Sequence, residues 1–424
     1  MNQKPSKFLY FSNIWPKQNY NTRSNRIEAF IRLIHRSLLN PVFSSSAARP
    51  KLDSDVIRQY SFASCVNLDP NKVDNIEHFL KKQDASLTKF ALFDGFQSEE
   101  QYSVHVHKHM PNLLKVLDLQ KMVSLQSFRR SLLDHAMNDL GDSSQLLDKL
   151  KVTSALHGLP TLENMLHARE MASIFRSDLI IVSSDFEQMI LEKNYGLKNV
   201  VKAQMVFDQL PYEDDNEGYN LYFFDSIRSQ KHYNFEKRKN FVWVGNLSDE
   251  ANQFNLEMFV NYMWPEISKE LKDAELHIYA HNCPKKIQNL IESQTRVKLI
   301  QSNTDLKFLM KYRAMIEPTF VGSGIRGKFA CAWDNFLPVA TTIAGAEGLF
   351  HESIDNDFWV DRISQPKADP RFFKPENEIL KSSNNDILNY YQYKDDCLDI
   401  AKDKLTFGGL FAANSILIRW KTVH

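Results

Sequence analysis

Short apolar runs alternate with longer amphipathic stretches along the first half of the chain. Residues 8–11, 90–93, 114–117, 179–182 and 200–207 have the length and the β-branched or aromatic content of strands. Between them lie polar segments with helical periodicity, such as the one that places Ile27, Phe30, Ile31, Ile34 and Leu38 on one stripe. Residues 98–110 also have the composition of a helix. Strand and helix in alternation predict parallel strands joined by crossover helices. The second half repeats the scheme, with short β-rich runs at 241–244, 275–279, 297–300, 314–316 and 339–341, and this predicts a Rossmann-like doubly wound sheet. Residues 408–420 are apolar with helical spacing, and no internal repeat or low-complexity tract interrupts the pattern.

Size and charge narrow the classes. With 424 residues the chain exceeds what one core usually supports. The charged stretch 208–220, with Pro211, Glu213, Asp214, Asp215 and Glu217, breaks the alternation and marks a boundary. The expected division is a domain over 1–210, a linker over 211–237, a second domain over 238–400 and a terminal helix over 401–424. Lys plus Arg and Asp plus Glu both number 52, so there is no global electrostatic case for nucleic acid. No apolar run approaches a membrane span, and the first residues lack the apolar region of a signal peptide. A soluble cytoplasmic protein is expected. Arg23, Arg26, Arg32 and Arg36 beside the first apolar stripe fit peripheral contact with anionic lipid, although an ordinary sheet-covering helix explains them more simply.

Cys65, Cys283, Cys331 and Cys397 are far apart, which points to reduced thiols and neither a zinc site nor a disulfide framework. His105, His107 and His109 would share one face of a strand and could then hold a metal, but on the expected helix they spread around the axis. No metal site is expected.

The strongest chemical signal lies at 315–329. An apolar strand runs into Gly322, Gly324 and Gly327, and a helix is expected over 324–333. Unpaired N–H groups at such a helix start, with Lys328 one turn in, suit a diphosphate. Three patterns compete. The glycines satisfy G-x-G-x-x-G, with Glu347 near the spacing of a ribose-binding acid, but a dinucleotide fingerprint belongs to the first strand of its unit. A nicotinamide-dependent oxidoreductase therefore has weak support. Gly322 and Gly327-Lys328 also fit a P-loop, yet Phe329 stands where a hydroxyl would hold Mg²⁺.

The third pattern is a resemblance. Gly324-Ile325-Arg326-Gly327-Lys328, Leu337-Pro338-Val339 and Gly345-Ala346-Glu347-Gly348-Leu349 resemble the donor site of retaining glycosyltransferases of the GT-B fold, family 4. Residues 241–246, Asn252 and Trp264-Pro265 resemble the opening of the same domain. The resemblance implies an α/β protein of two Rossmann-like doubly wound domains facing across a cleft, the last helix crossing back to the first domain. It implies transfer from a nucleoside diphosphate sugar with retention, with no metal and no other cofactor. Lys328 and Arg326 would stabilise the departing diphosphate. Donor contacts would come from Gly245, Asn246, Glu317, Gly322, Ser323, Gly324, Ile325, Gly327, Cys331, Thr342, Gly345, Ala346, Glu347 and Gly348.

The chain departs from the family in places that matter. Cys331 stands where relatives carry the glutamate that accepts the ribose hydroxyls, and a thiol is a poor acceptor. Ser323 occupies the position of the first glutamate, and Phe336 that of the glycine before Pro-Val. In the segment 116–125, resembling Asp-x-x-Asp-x-His-Ser-Leu-Arg, Lys121, Val123 and Gln126 replace acid, histidine and arginine, while Asp118 and Ser124 remain. His157 is a candidate substitute for the histidine. Residues 15–21, with Asn19 and Asn21, replace a glycine-rich acceptor loop by bulkier groups. Asn19, Asn21, Asp118, Ser124 and His157 are thus the candidate acceptor or cleft residues. Two functions follow: a transferase acting on a glycan, lipid-linked or protein acceptor, or a degenerate relative that binds and stabilises an active glycosyltransferase.

Overall fold

The computed structural model describes residues 5–16, 22–48, 64–138, 159–203, 238–301, 306–329, 332 and 337–347. The expected linker and the helix over 401–424 lie outside them.

The first half contains β1 (Lys7–Ser12), α1 (Thr22–Arg36), β2 (Asn40–Ser45), β3 (Ser64–Asn67), α2 (Val73–Lys81), β4 (Thr88–Asp94) and α3 (Phe96–His109). It continues with β5 (Leu114–Asp118), α4 (Val123–Asn138), α5 (Met165–Arg176), β6 (Leu179–Val182), α6 (Asp185–Met189) and β7 (Val200–Lys202). In the second half come β8 (Lys239–Asn246), α7 (Glu250–Met258), α8 (Trp264–Glu270), β9 (Leu276–His281), α9 (Lys285–Ser293), β10 (Val297–Gln301), β11 (Tyr312–Glu317), β12 (Val339–Thr341) and α10 (Ile343–Ala346).

Two compact units result. One comprises Met1–Gln126, Leu159–Gln209 and Ser323–Ile325, the other Ser127–Gly158, Leu210–Gly322 and Arg326–His424. The first carries a seven-stranded sheet in the order β3-β2-β1-β4-β5-β6-β7 and the second a five-stranded sheet in the order β10-β9-β8-β11-β12. All pairings are parallel.

Parallel sheets are covered on both faces, and β1 shows it. Leu9 and Phe11 pack with Phe93 and with Tyr102 of α3, whereas Phe8 and Tyr10 pack with Ile27 and Ile31 of α1. All four β1 residues are fully buried. In the second unit Trp243 and Ile278 face Leu256, Trp264, Ile287 and Ile291, while Val242, Met315 and Val339 face Leu309 and Phe329.

Three elements differ from the sequence expectation. Strands β2 and β3 were not anticipated, because Asn40-Pro41 and the serines at 44 and 45 have the composition of a turn; partners on both sides of β2 override that local preference. The helix expected over 324–333 begins only at Lys328. Gly324 has φ +68°, a left-handed conformation incompatible with a helix interior.

Candidate functional site

In the second unit the strand order reverses between β8 and β11, the place where an open parallel sheet leaves a crevice beyond its carboxyl ends. Gly245 and Asn246 end β8, and Glu317 ends β11. Lys328 Nζ donates to Glu317 Oε2 at 2.8 Å, lies 3.4 Å from Asn252 Oδ1 and stands 4.6 Å from the centre of the Trp243 ring. Glu317 also accepts from Thr319 Oγ1 at 3.3 Å. Asn252 Nδ2 donates to the Asn246 carbonyl at 2.9 Å, so one amide connects the end of β8 to the lysine. A side chain at Gly245 would run into the Trp243 ring and come 3.2 Å from Lys328 Nζ. Glycine leaves that space to the ammonium.

The loop after β11 is held by side chains of its own unit. Asn255, buried on α7, accepts from the amides of Phe320 and Val321, each at 2.9 Å, and donates to the Val321 carbonyl at 3.0 Å. Arg326 Nη2 donates to the same carbonyl at 3.1 Å, and its guanidinium fills the place a Cβ at Gly322 would take. Arg129 donates to the Gly322 carbonyl at 2.6 Å and pairs with Glu347 at 2.7 and 3.2 Å. Thr341 Oγ1 donates to the Glu317 carbonyl at 2.7 Å, Thr342 Oγ1 donates to the Thr319 carbonyl, and Thr342 also caps α10 through Gly345 N.

Several of the expected donor residues have partners within the protein. Glu347 has its carboxylate committed to Arg129, and Arg326 is folded back on its own loop. Among the amides of Gly324, Ile325, Gly327 and Lys328, only that of Ile325 meets an acceptor in the described residues, Ser183 Oγ at 3.5 Å. Ser323 Oγ donates to the Met122 carbonyl at 2.6 Å. Gly324 approaches Gln120 O, Lys121 Cβ and Ser183 Oγ so closely that a Cβ would lie 3.1–3.2 Å from each, a second reason for glycine there. Cys331, Gly348, His157, Asn19 and Asn21 lie outside the described residues.

In the first unit, Asp118 and Ser124 are fully buried and each is held by neighbours. Arg26 forks onto Asp118 at 2.7–3.1 Å and stays charged: burial opposes its charge, but the carboxylate outweighs that and raises its pKa. Arg23 pairs with Asp94 at 2.8 Å, and Ser12 Oγ donates to Asp94 at 2.6 Å. Two of the four arginines beside the first apolar stripe are thus engaged within the unit, in keeping with a sheet-covering helix. Ser124 Oγ donates to Glu170 at 2.5 Å and lies 2.9 Å from His167 Nδ1, whose ring reaches Tyr195 OH through Nε2 at 2.7 Å. Burial lowers the His167 pKa. The Glu170 carboxylate also receives the amides of Val123 and Ser124 and so closes the start of α4. His105, His107 and His109 lie on α3, where successive residues turn around the axis.

No protein-family model matches the chain, and no curated protein matches it in sequence. Solved structures do match in shape. A point variant of S. aureus TarM, crystallised with fondaparinux, alpha-GlcNAc-glycerol and UDP, aligns at TM-score 0.54 with 10% identity over 98% of this chain and 99% of its own. A second TarM structure aligns at 0.52 with 11% identity over 98% of each chain. The fold is GT-B-like. At such identity the likeness is one of fold. Anabaena HepE with UDP-glucose aligns at 0.49 with 11% identity over 98% of this chain and 100% of its own.

Sequence reasoning missed Arg129, Asn255 and the His167–Glu170 pair. Asn255 had a local signal, an amide flanked by Phe254 and Leu256 on a helix. Arg129 had none, since its partners are 193 and 218 residues away.

Proposed function

We propose that the protein is a glycosyltransferase that moves a sugar from a nucleoside diphosphate sugar to an acceptor hydroxyl, with retention and without a metal. The observation that carries this reading is Lys328, its ammonium set against Glu317 and Asn252 where β8 and β11 part. In a fold of this kind that is where a nucleotide's phosphates belong. Lys328, with the amides of the glycine loop, would neutralise the leaving diphosphate as charge builds on it. Arg326 adds a second cation nearby when it leaves the Val321 carbonyl. The acceptor oxygen attacks the anomeric carbon, the bond from that carbon to the phosphate oxygen breaks, and the acceptor's proton passes to the departing diphosphate. Glu317 holds Lys328 in place and keeps the pair neutral until the donor arrives. The acceptor is a glycan, a lipid-linked sugar or a protein.

A thermal-shift and calorimetric panel of UDP, GDP, ADP and their sugars tests the proposal, because a ligand at about 100 times its Kd adds about 2.7 kcal/mol to the native state. One nucleotide should bind, and Lys328→Ala should weaken it by about tenfold or more, roughly the 1.5–3 kcal/mol of a charge-assisted contact. Measuring Lys328→Ala in a Glu317→Gln background keeps a lone buried carboxylate from confounding the result. Chelator-insensitive turnover and an NMR assignment of the anomeric product test the mechanism. No binding at millimolar nucleotide by a folded protein would overturn the transferase reading and leave that of a non-catalytic partner.

A further inference from the structure

The donor loop has a part that no motif announces: a buried ion pair that holds its backbone from outside the glycine segment. Arg129 on α4 and Glu347 just beyond α10 are 1% and 7% exposed at their side chains and meet in a fork, 2.7 and 3.2 Å. The same guanidinium donates to the Gly322 carbonyl at 2.6 Å. We propose that Arg129, oriented by Glu347, is a positioning residue that fixes the Gly322 carbonyl and thereby the direction in which the donor loop presents its amides.

A trans peptide points its carbonyl and the following N–H to opposite sides, so pinning Gly322 O to Arg129 turns the next N–H away from Arg129. The preceding carbonyl, Val321 O, is pinned too, by Asn255 Nδ2 and Arg326 Nη2, and the two amides before it are taken by Asn255 Oδ1. Three side chains thus set the orientation of consecutive peptides at the entrance to the glycine loop, and Arg129 is the last of them. Finally, a buried ion pair adds little stability over apolar groups of the same volume, because desolvation offsets the attraction. Its consequence here is geometric. A planar fork joined to a carboxylate and a carbonyl fixes direction in a way a methyl group or an ammonium cannot.

The inference rests on the donor-site reading for its function, and the test separates the two. The variants are the double Arg129→Met with Glu347→Leu, which removes both charges together, and the single Arg129→Lys, which keeps charge without the fork. Each is compared with wild type by melting point, by hydrogen exchange of the peptide covering residues 321–328, and by affinity for whichever nucleoside diphosphate the wild type binds. The double variant should melt within a few degrees of wild type, while exchange at 323–328 quickens by about tenfold and nucleotide affinity falls by a similar factor. Arg129→Lys should retain the melting point and recover only part of the protection. Unchanged exchange at 323–328 in a folded variant of either kind overturns the proposal. Should the double variant not fold, Arg129→Lys decides by the same reading. Exchange needs no ligand, so a wild type that binds no nucleotide would sink the transferase reading while this one is still judged by its own measurement.

Discussion

Replacing Asn255 by leucine removes a single amide that serves three backbone groups at the edge of the candidate site. The amides of Phe320 and Val321 lose their common acceptor, whereas the Val321 carbonyl keeps Arg326 at 3.1 Å. A buried donor left unpaired costs about 1–3 kcal/mol, so two give about 2–6 kcal/mol, and the leucine methyls recover a small part. The expected loss is about 3–4 kcal/mol, or roughly 10 °C in the melting of a unit of this size. Denaturant unfolding followed by the fluorescence of Trp243 and Trp264, both in the core of this unit, measures it. Hydrogen exchange at Phe320 and Val321 should rise in parallel. Asn255→Asp supplies an internal control: it keeps the acceptor but turns the donor into an oxygen facing the Val321 carbonyl. Because both amides keep their acceptor, Asn255→Asp should cost less stability than Asn255→Leu and leave exchange at 320 and 321 closer to wild type. A stability of Asn255→Leu within about 1 kcal/mol of wild type, with exchange at 320 and 321 unmoved, would falsify the claim that this amide holds the loop.

Two further predictions concern the first unit. Burial lowers the His167 pKa, so in the window from the unfolded value of about 6.5 down to the depressed folded value the unfolded chain binds more protons, and the His167 contribution to stability is lost as pH falls. Subtracting the stability–pH curve of His167→Gln from that of wild type should reveal this slope, and parallel curves would refute it. Tyr10 is fully buried with a hydroxyl that finds no hydrogen-bond partner among the described residues. Tyr10→Phe should therefore be neutral or stabilising by up to about 1 kcal/mol in urea unfolding, and a loss of more than that would mean the hydroxyl is satisfied.

The two sheets were legible in the chain because a parallel strand buried on both faces must be apolar along its length. Residues 8–11 and 90–93 show such runs, and so do 241–244 and 314–316. Glycines at 322, 324 and 327 announced a close backbone approach, and Lys328 beside them announced charge, since both properties belong to single residues. Strand β2 escaped notice because Asn40-Pro41 and its two serines satisfy a turn locally, and only strands on either side make it a strand. The helix start at Lys328 escaped for a similar reason: whether Gly324 is helical or left-handed depends on what its Cα must pass. The partners of the candidate residues were settled by tertiary structure alone. Sequence marks Glu347, Asp118 and Ser124 as polar, but it is the folded chain that brings Arg129, Arg26 and Glu170 to them across tens to hundreds of residues. A periodic pattern reports which side of an element is buried, a property set within a few residues, while a hydrogen bond between distant segments depends on where the whole backbone has already been carried.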